Sequence, residues 1–425
     1  MIVPRAGAAV VLALLFGCSD APQSVSRVEP PTSPPTPARG VVDVDSTPMQ
    51  FRIDTLVRDL QVPWAMAMLP DGRLLVTERG GRILALNPET RAVAPWATLD
   101  VYAQDPGIGP EAGLMGIAIA PDFERTREVF VVATTWRTRG DRTRGLATRL
   151  WRRVAGRVQP EAALRYKNQV IRLVDRQGKG VAPTVVVDDL ATNFYHVGGA
   201  IGFGPDGMLY MTTGDAMLPE RVDGRGSKLA RVLRFTRTGG VPADNPTPGD
   251  PTWAMGLRNA QAFAWMPDSS LIAVEHGPSG MTQELGRKGH DELNTIIRGA
   301  DYGWPRTIGD EPAPGVTAPL FTWERAIAPT GLALYRGPLS DWHGSVLVAG
   351  LLGGLERVQL EREGAHWSVR LRQPLLAGQF GRLRALAEDD SGRILLTTSN
   401  RDARGIPRPG DDLLVRLTPV VGDRR

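Results

Sequence analysis

PDGRLLVTERGG (residues 70–81), GPDGMLYMTTGDA (204–216), MPDSSLIAVEHGP (266–278) and DDSGRILLTTSNRD (389–402) are four versions of one phrase. Each opens on a Pro-Asp or Asp/Ser-Gly corner, residue types that turn a chain because of their φ preferences and short side-chain hydrogen bonds. Each then runs through an apolar stretch of strand length and ends on polar groups: Glu78 and Arg79, Asp215, Glu275 and His276, Asn400 and Arg401. A single short strand cannot bury its own apolar faces, so a repeated one implies that copies stack. Repeated strands that all end in polar groups bring those ends together in space. A β-propeller does this, and the expectation is that the repeat is the innermost strand of each blade, delivering its tip to a central channel.

Composition agrees with an all-β reading. The 425 residues include 48 glycines and 35 prolines, and helix-period stretches are nearly absent after residue 50. The formal charge is +4, and its basic side is almost wholly arginine, because Lys167, Lys179, Lys228 and Lys288 are the only lysines. No basic face interleaved with aromatics occurs, which argues against a nucleic-acid partner. The arginines between Arg137 and Arg157 are broken up by strand-like apolar residues and read as a solvated hairpin.

The N-terminus reads as a targeting segment. Arg5 supplies a positive n-region, and Ala8 to Phe16 form an apolar core too short to span a bilayer. It ends in LFGC, and Cys18 is the only cysteine in the chain. This resembles a bacterial lipobox, although an ordinary secretory signal with an incidental thiol is the competing reading. The expected organisation is a lipoprotein signal peptide at 1–17, a Pro/Ser/Thr-rich tether at 18–49 and a propeller at 50–421. Acylation of Cys18 would attach the protein to a membrane through the lipid alone. Ser19 points to the periplasmic side of the outer membrane.

Among five histidines, His196 stands apart because it precedes Gly198-Gly199 and opens the repeat that Asp215 closes. The two residues begin and end one hairpin and so return to the same edge. A carboxylate there orients an imidazole as a general base, or simply ties off a blade with a structural hydrogen bond; spacing leaves both open. GLRNAQAF (256–263) places Arg258 and Asn259 where a strand leaves its ladder. There Arg258 can pair with an anion or stabilise a developing oxyanion, or be a surface arginine. EHGPSGMTQELGRKGHDELN (275–294) combines Gly277 and Pro278, whose carbonyls a tight turn exposes, with Asp291, Glu292 and Asn294, hard oxygen donors of the kind Ca²⁺ takes. Solvated loop carboxylates explain the same residues.

Together these segments resemble the glucose/sorbosone dehydrogenase family, the soluble pyrroloquinoline quinone (PQQ)-dependent aldose sugar dehydrogenases. The resemblance is carried in order by VPWAMAMLPDGRLLVTERGG, GLMGIAIAPDF, the His196–Asp215 repeat, GLRNAQAF, EHGP…DELN…ADYGWP, APTGLALY and GRLRAL, from about Val62 to about Leu417. It implies a six-bladed β-propeller that binds PQQ with Ca²⁺ over the channel mouth and oxidises a sugar at its anomeric carbon to a lactone. Electrons would pass to an external acceptor such as a cytochrome or quinone. His196 matches the family's catalytic base and Asp215 its supporting carboxylate. Arg258 and Asn259 match the pair at the quinone, and Gly277 and Pro278 the carbonyls that hold calcium. Arg382 and Arg384 match two arginines that take the PQQ carboxylates, while Tyr302 and Trp304 match an element in which Asp301 replaces an Asn. Glu111 stands where some members have a sugar-contacting Gln, and the segment 279–290 is longer than in compact members. AGLLGGL (349–355) puts Gly353 where the family has a PQQ-binding lysine. A charge-assisted hydrogen bond is worth about 1.5–3 kcal/mol, so this loss would weaken cofactor binding roughly 10- to 150-fold. A non-catalytic carbohydrate- or partner-binding propeller, a Ca-dependent lactonase and a dehydrogenase of a related substrate such as sorbosone are the alternatives.

Overall fold

The computed structural model describes residues 43–44 and 51–420, apart from 103–110, 139–165, 225, 281–283, 285, 365 and 377. Cys18 and the expected signal segment lie outside the described residues, as does most of the stretch 137–157 expected to form a hairpin. Two short strands come first, β1 (Asp43–Val44) and β2 (Phe51–Val57). The end of the expected tether is therefore not free, because β1 pairs in parallel with an outer strand (Asp43 opposite Leu371).

Six antiparallel sheets follow. Blade 1 is β3 (Pro63–Met68), β4 (Leu74–Glu78), β5 (Arg82–Leu86) and β6 (Val93–Thr98). Blade 2 is β7 (Leu114–Ile119), β8 (Glu128–Trp136), β9 (Tyr166–Arg176) and β10 (Lys179–Thr192). Blade 3 is β11 (Ile201–Phe203), β12 (Leu209–Thr213), β13 (Arg231–Phe235) and β14 (Thr252–Met255). Blade 4 is β15 (Ala260–Trp265), β16 (Leu271–Glu275), β17 (Asp291–Ile296) and β18 (Phe321–Trp323). Blade 5 is β19 (Pro329–Leu334), β20 (Ser345–Gly350), β21 (Gly354–Glu363) and β22 (His366–Leu376). Blade 6 is β23 (Leu383–Glu388), β24 (Ile394–Thr398), β25 (Leu414–Pro419) and, as its outer strand, β2. Pairing the first long strand with the last closes the ring and leaves no open seam between chain ends. This is the six-bladed β-propeller that the repeats and the resemblance imply.

The first strands line the channel: β3 packs on β7 and β23, β7 on β11, and β19 on β15 and β23. One expectation is corrected here. The four repeated phrases form β4, β12, β16 and β24, the second strand of each blade, not the innermost. Second strands are sandwiched between neighbouring blades, so every residue of β4, β12, β16 and β24 is buried. Burial on both faces abolishes the polar–apolar alternation, and the phrase reads as an unbroken apolar run. The packing is between blades: Leu75, Ile83, Leu114 and Val131 join blades 1 and 2, and Ile272, Val274, Leu332 and Val346 join blades 4 and 5.

The threonine of the phrase has a structural task. Thr77, Thr212 and Thr397 occupy the same place in three copies, and each accepts from an amide in or just before a first strand: Ala65 at 3.1 Å, Ala200 at 3.1 Å and Ala385 at 3.1 Å. Thr77 also donates to Met115 O of the next blade (2.6 Å), and Thr212 to Ala260 O (2.8 Å). Five of the first strands carry a register shift near their start, between Pro63/Ala65, Leu114/Ile117, Ala260/Ala262, Pro329/Gly331 and Leu383/Leu386. Such bulges re-aim side chains and are common beside active sites.

Candidate active site

The site lies at the end of the channel where first strands begin and second strands finish. His196 precedes β11, Arg258 and Asn259 precede β15, Glu111 precedes β7, and Arg384 is the second residue of β23. His196 takes a left-handed backbone conformation (φ 52°), followed by Gly198 (φ 64°) and Gly199 (φ 97°). The turn is tight enough that a Cβ on Gly214 would fall 2.0 Å from the His196 carbonyl oxygen. A non-glycine residue held at positive φ is costly and persists only where its surroundings enforce it.

His196 and Asp215 meet as their spacing predicts. The ring Nδ1 donates to Asp215 Oδ1 at 2.7 Å. Asp215 Oδ1 also accepts from Met217 N at 2.8 Å, and its Oδ2 accepts from the Trp304 indole at 2.9 Å. Burial pushes the Asp215 carboxyl up, but His196, Arg258 and the Met217 amide outweigh it and hold it below the usual carboxylate range. A carboxylate on Nδ1 fixes the tautomer and leaves the lone pair on Nε2. That lone pair accepts from Arg258 Nη2 at 2.9 Å. Arg258 also donates from Nε to Glu284 Oε1 (2.7 Å), from Nη1 to His276 O (3.2 Å) and from Nη2 to Ser279 Oγ (3.1 Å), with its guanidinium 5.6 Å over the Trp304 ring. Asp301, in place of the family Asn, accepts from Gly303 N at 2.9 Å and shapes the turn that carries Trp304.

A second group crosses the channel. Asn259 Nδ2 donates to Glu111 Oε2 (3.0 Å), while its Oδ1 accepts from Gly198 N (3.0 Å) and from Gln261 Nε2 (2.9 Å). Gln261 Oε1 in turn accepts from Arg384 Nη2 (3.0 Å), and the Arg384 guanidinium lies 4.2 Å over the Trp64 ring. Trp64, Gln261 and Arg384 all sit within the register shifts of their strands, which turns side chains of blades 1, 4 and 6 toward one another. Burial pushes the Arg384 guanidinium down to about 10, against the pull of Glu111 and Asp402 and with the push of Arg382 and Arg79. Burial raises the Glu111 carboxyl, but His196, His276, Arg404 and the Asn259 amide outweigh it and keep it low. Burial also holds His276 below the ordinary imidazole range.

The remaining expected residues are placed differently. Arg382 lies just before β23 and is held by Asp402, which accepts from its Nε at 3.0 Å and its Nη2 at 2.9 Å, whereas Arg384 donates to Gln261, so the two arginines have different partners. Pro278 O accepts from Gly289 N at 3.0 Å. Asp291 takes the backbone amides of Gly277 (2.8 Å), Ile327 (2.8 Å) and Ala328 (2.7 Å), tying blade 4 to blade 5. Among the described residues no three His, Cys, Asp or Glu side chains gather for a metal. Glu292, the other acidic donor expected from sequence, accepts from Gly309 N at 2.8 Å and Asn294 Nδ2 at 3.1 Å, so both carboxylates hold protein donors. At Gly353 a Cβ would fall 2.7 Å from Ile327 Cβ and 2.8 Å from its Cγ2, so the side-chain space of the family lysine is filled. Sequence reasoning missed Trp64, Gln261 and Glu284.

A family model described as Glucose / Sorbosone dehydrogenase matches residues 60–414. A Thermus thermophilus protein provisionally assigned as a glucose dehydrogenase oxidoreductase is 36% identical, with a TM-score of 0.73 over 87% of this chain and 100% of that one. The PQQ-bound aldose sugar dehydrogenase of Streptomyces coelicolor is 29% identical, with a TM-score of 0.71 over 88% of this chain and 99% of that one. The aldose sugar dehydrogenase YliI of Escherichia coli is 27% identical over 82% of this chain and 93% of its own. The residues present suit an anionic, planar quinone. Arg384 Nε and His276 Nε2 are buried with no hydrogen-bond partner, and each can donate to or orient an incoming carboxylate or carbonyl.

Proposed function

The chain belongs to the glucose/sorbosone dehydrogenase family, whose members here are PQQ-dependent, sugar-dehydrogenase-like oxidoreductases, and from that premise we propose that it oxidises an aldose at its anomeric carbon to the lactone. The observation that carries the reading is the buried Asp215–His196 pair, whose acceptor nitrogen Nε2 faces the arginine-lined channel mouth. When bound, PQQ supplies the two-electron sink for the C1 hydride. His196 Nε2 takes the proton of the anomeric hydroxyl, and Asp215 stabilises the imidazolium that results. His196, Arg258 and the Met217 amide keep Asp215 ionised, and the Trp304 indole helps to fix its position. Arg384, Arg382 and Asn259 would hold the cofactor's carboxylates and carbonyls, and Glu111 would take a sugar hydroxyl. Calcium would rest on the Gly277 and Pro278 carbonyls.

Outside the domain, we extend the reading to a lipid anchor at Cys18, a periplasmic face of the outer membrane and a cytochrome or quinone as final electron acceptor. The test is a titration of the protein with PQQ, followed by an aldose panel while the quinone absorbance is watched. Tight binding and bleaching by a sugar are expected, and a His196→Ala variant should bind PQQ but lose about 10²–10⁴-fold in turnover. Full turnover in that variant would remove the base assignment. One observation favours a second reading, a sugar- or partner-binding propeller without redox chemistry: Ile327 closes the space above Gly353. No PQQ binding at micromolar concentration would select it.

A further inference from the structure

Arg258 reaches His196 from a position defined by a third residue. Glu284 lies in the long segment after Pro278 and is 2% exposed, as buried as the carboxylates of the domain's core. Its Oε1 accepts from Arg258 Nε at 2.7 Å and lies 2.5 Å from Nη2, and its Oε2 accepts from Ser279 N at 2.9 Å. Burying two opposite charges is favourable only when they are paired and their geometry is good, and removing one partner then exposes the other's full charge. The pair has a consequence for the base. With Glu284 holding Nε and Nη2, the same Nη2 caps His196 Nε2, the one imidazole atom able to accept a substrate proton.

We infer that Glu284 is an internal counter-ion that holds Arg258 over the His196 base, and that an anionic ligand in the channel opens the site by drawing Arg258 away from Glu284. The ligand class is a planar polycarboxylate, a quinone that carries carboxylates included. The competitor for Arg258 is another carboxylate, already in place, so only a ligand offering comparable negative charge can take it. Arg384 Nε, unpartnered and buried, provides a further cationic group at the same mouth. Glu284 acts through Arg258 and is a positioning residue. A neutral sugar alone leaves His196 capped, so the order of binding follows: anion first, then sugar. The inference rests on the quinoprotein reading for the identity of the natural ligand, but not for the behaviour of the Arg258–Glu284 pair.

The test compares wild type with Glu284→Gln, using calorimetry with two probes, PQQ and benzene-1,3,5-tricarboxylate. Freeing Arg258 from an ionised competitor should tighten binding by about tenfold or more, the scale of one charge-assisted hydrogen bond. A carboxylate that merely shaped the loop would weaken binding when neutralised, so the sign decides. Tighter binding of both probes supports the inference and the cofactor reading together. A gain for the tricarboxylate with no PQQ binding supports the inference and sinks the cofactor reading. PQQ binding that is equal or weaker in Glu284→Gln overturns the inference and leaves the cofactor reading standing. Failure of both probes on both proteins overturns both. Should the variant not fold, the wild-type Arg258 Nε–H resonance gives the answer: it must shift at saturating probe, and an unmoved signal refutes the exchange.

Discussion

Restoring the lysine that the family carries at Gly353 should fail by itself and succeed only with a second change. A Cβ at this position falls 2.7 Å from Ile327 Cβ and 2.8 Å from Cγ2, distances at which a neighbour has to move. Neither contact is the far end of a flexible chain. Ile327 is also fixed at its backbone, where its amide donates to Asp291 at 2.8 Å and its carbonyl accepts from Leu352 N at 2.9 Å. Overpacking of this kind typically costs about 1–3 kcal/mol, so Gly353→Lys should lose that much stability in urea melts and gain little affinity for PQQ. Because Ile327 Cβ itself makes the contact, Ile327→Ala does not relieve it and Ile327→Gly does. The double variant Ile327→Gly, Gly353→Lys should then bind PQQ roughly 10- to 150-fold more tightly than wild type, as one charge-assisted hydrogen bond implies. The assay is a PQQ titration by quinone fluorescence on wild type, both singles and the double. Tight binding and wild-type stability in Gly353→Lys alone would refute the steric reasoning, and an unimproved double variant would refute the placement of the lysine.

Three further outcomes follow from the packing. Burial raises the Asp412 carboxyl to about 6 from 3.8, so its contribution to stability is full below 3.8 and is lost as pH rises through 6. Asp412→Asn should therefore gain up to about 3 kcal/mol at pH 8 and little at pH 4, and an equal gain at both in denaturant melts would contradict this. Thr212→Val removes the donor to Ala260 O and the acceptor of Ala200 N without changing shape, and should cost about 2 kcal/mol; a loss under about 0.5 kcal/mol in the same melts would deny the blade-to-blade role. Arg384→Met exchanges a buried guanidinium whose Nε has no partner for an apolar chain, so the ligand-free protein should be no less stable by thermal melt while PQQ binding falls about tenfold or more; tight PQQ binding in that variant would remove Arg384 from the cofactor site.

The fold was readable because second strands are buried on both faces, and burial on both faces leaves an unbroken apolar run that four copies repeat. The same fact explains the misplacement of those strands as the channel lining. An apolar run reports burial, not radial position, and first strands such as β11, three residues long, carry too little sequence to announce themselves. His196 and Asp215 were readable because a hairpin returns its ends to one edge whatever the side chains do. Trp64, Gln261 and Arg384 converge for a different reason. Each is aimed by a register shift, which is a relation between two strands and leaves no mark in either one. Glu284 is hidden for the same kind of reason: nothing in GMTQELGRK distinguishes a carboxylate in water from one buried on Arg258. Spacing found the pair tied together along the chain, His196 and Asp215; Glu111, Arg258, Asn259 and Arg384, whose partners lie on other blades, were reached only through the family resemblance, and Trp64, Gln261 and Glu284 were not reached at all. In a propeller the channel mouth is built from such partners, so its chemistry is where a single sequence is least informative and where the Arg258–Glu284 pair had to be found in space.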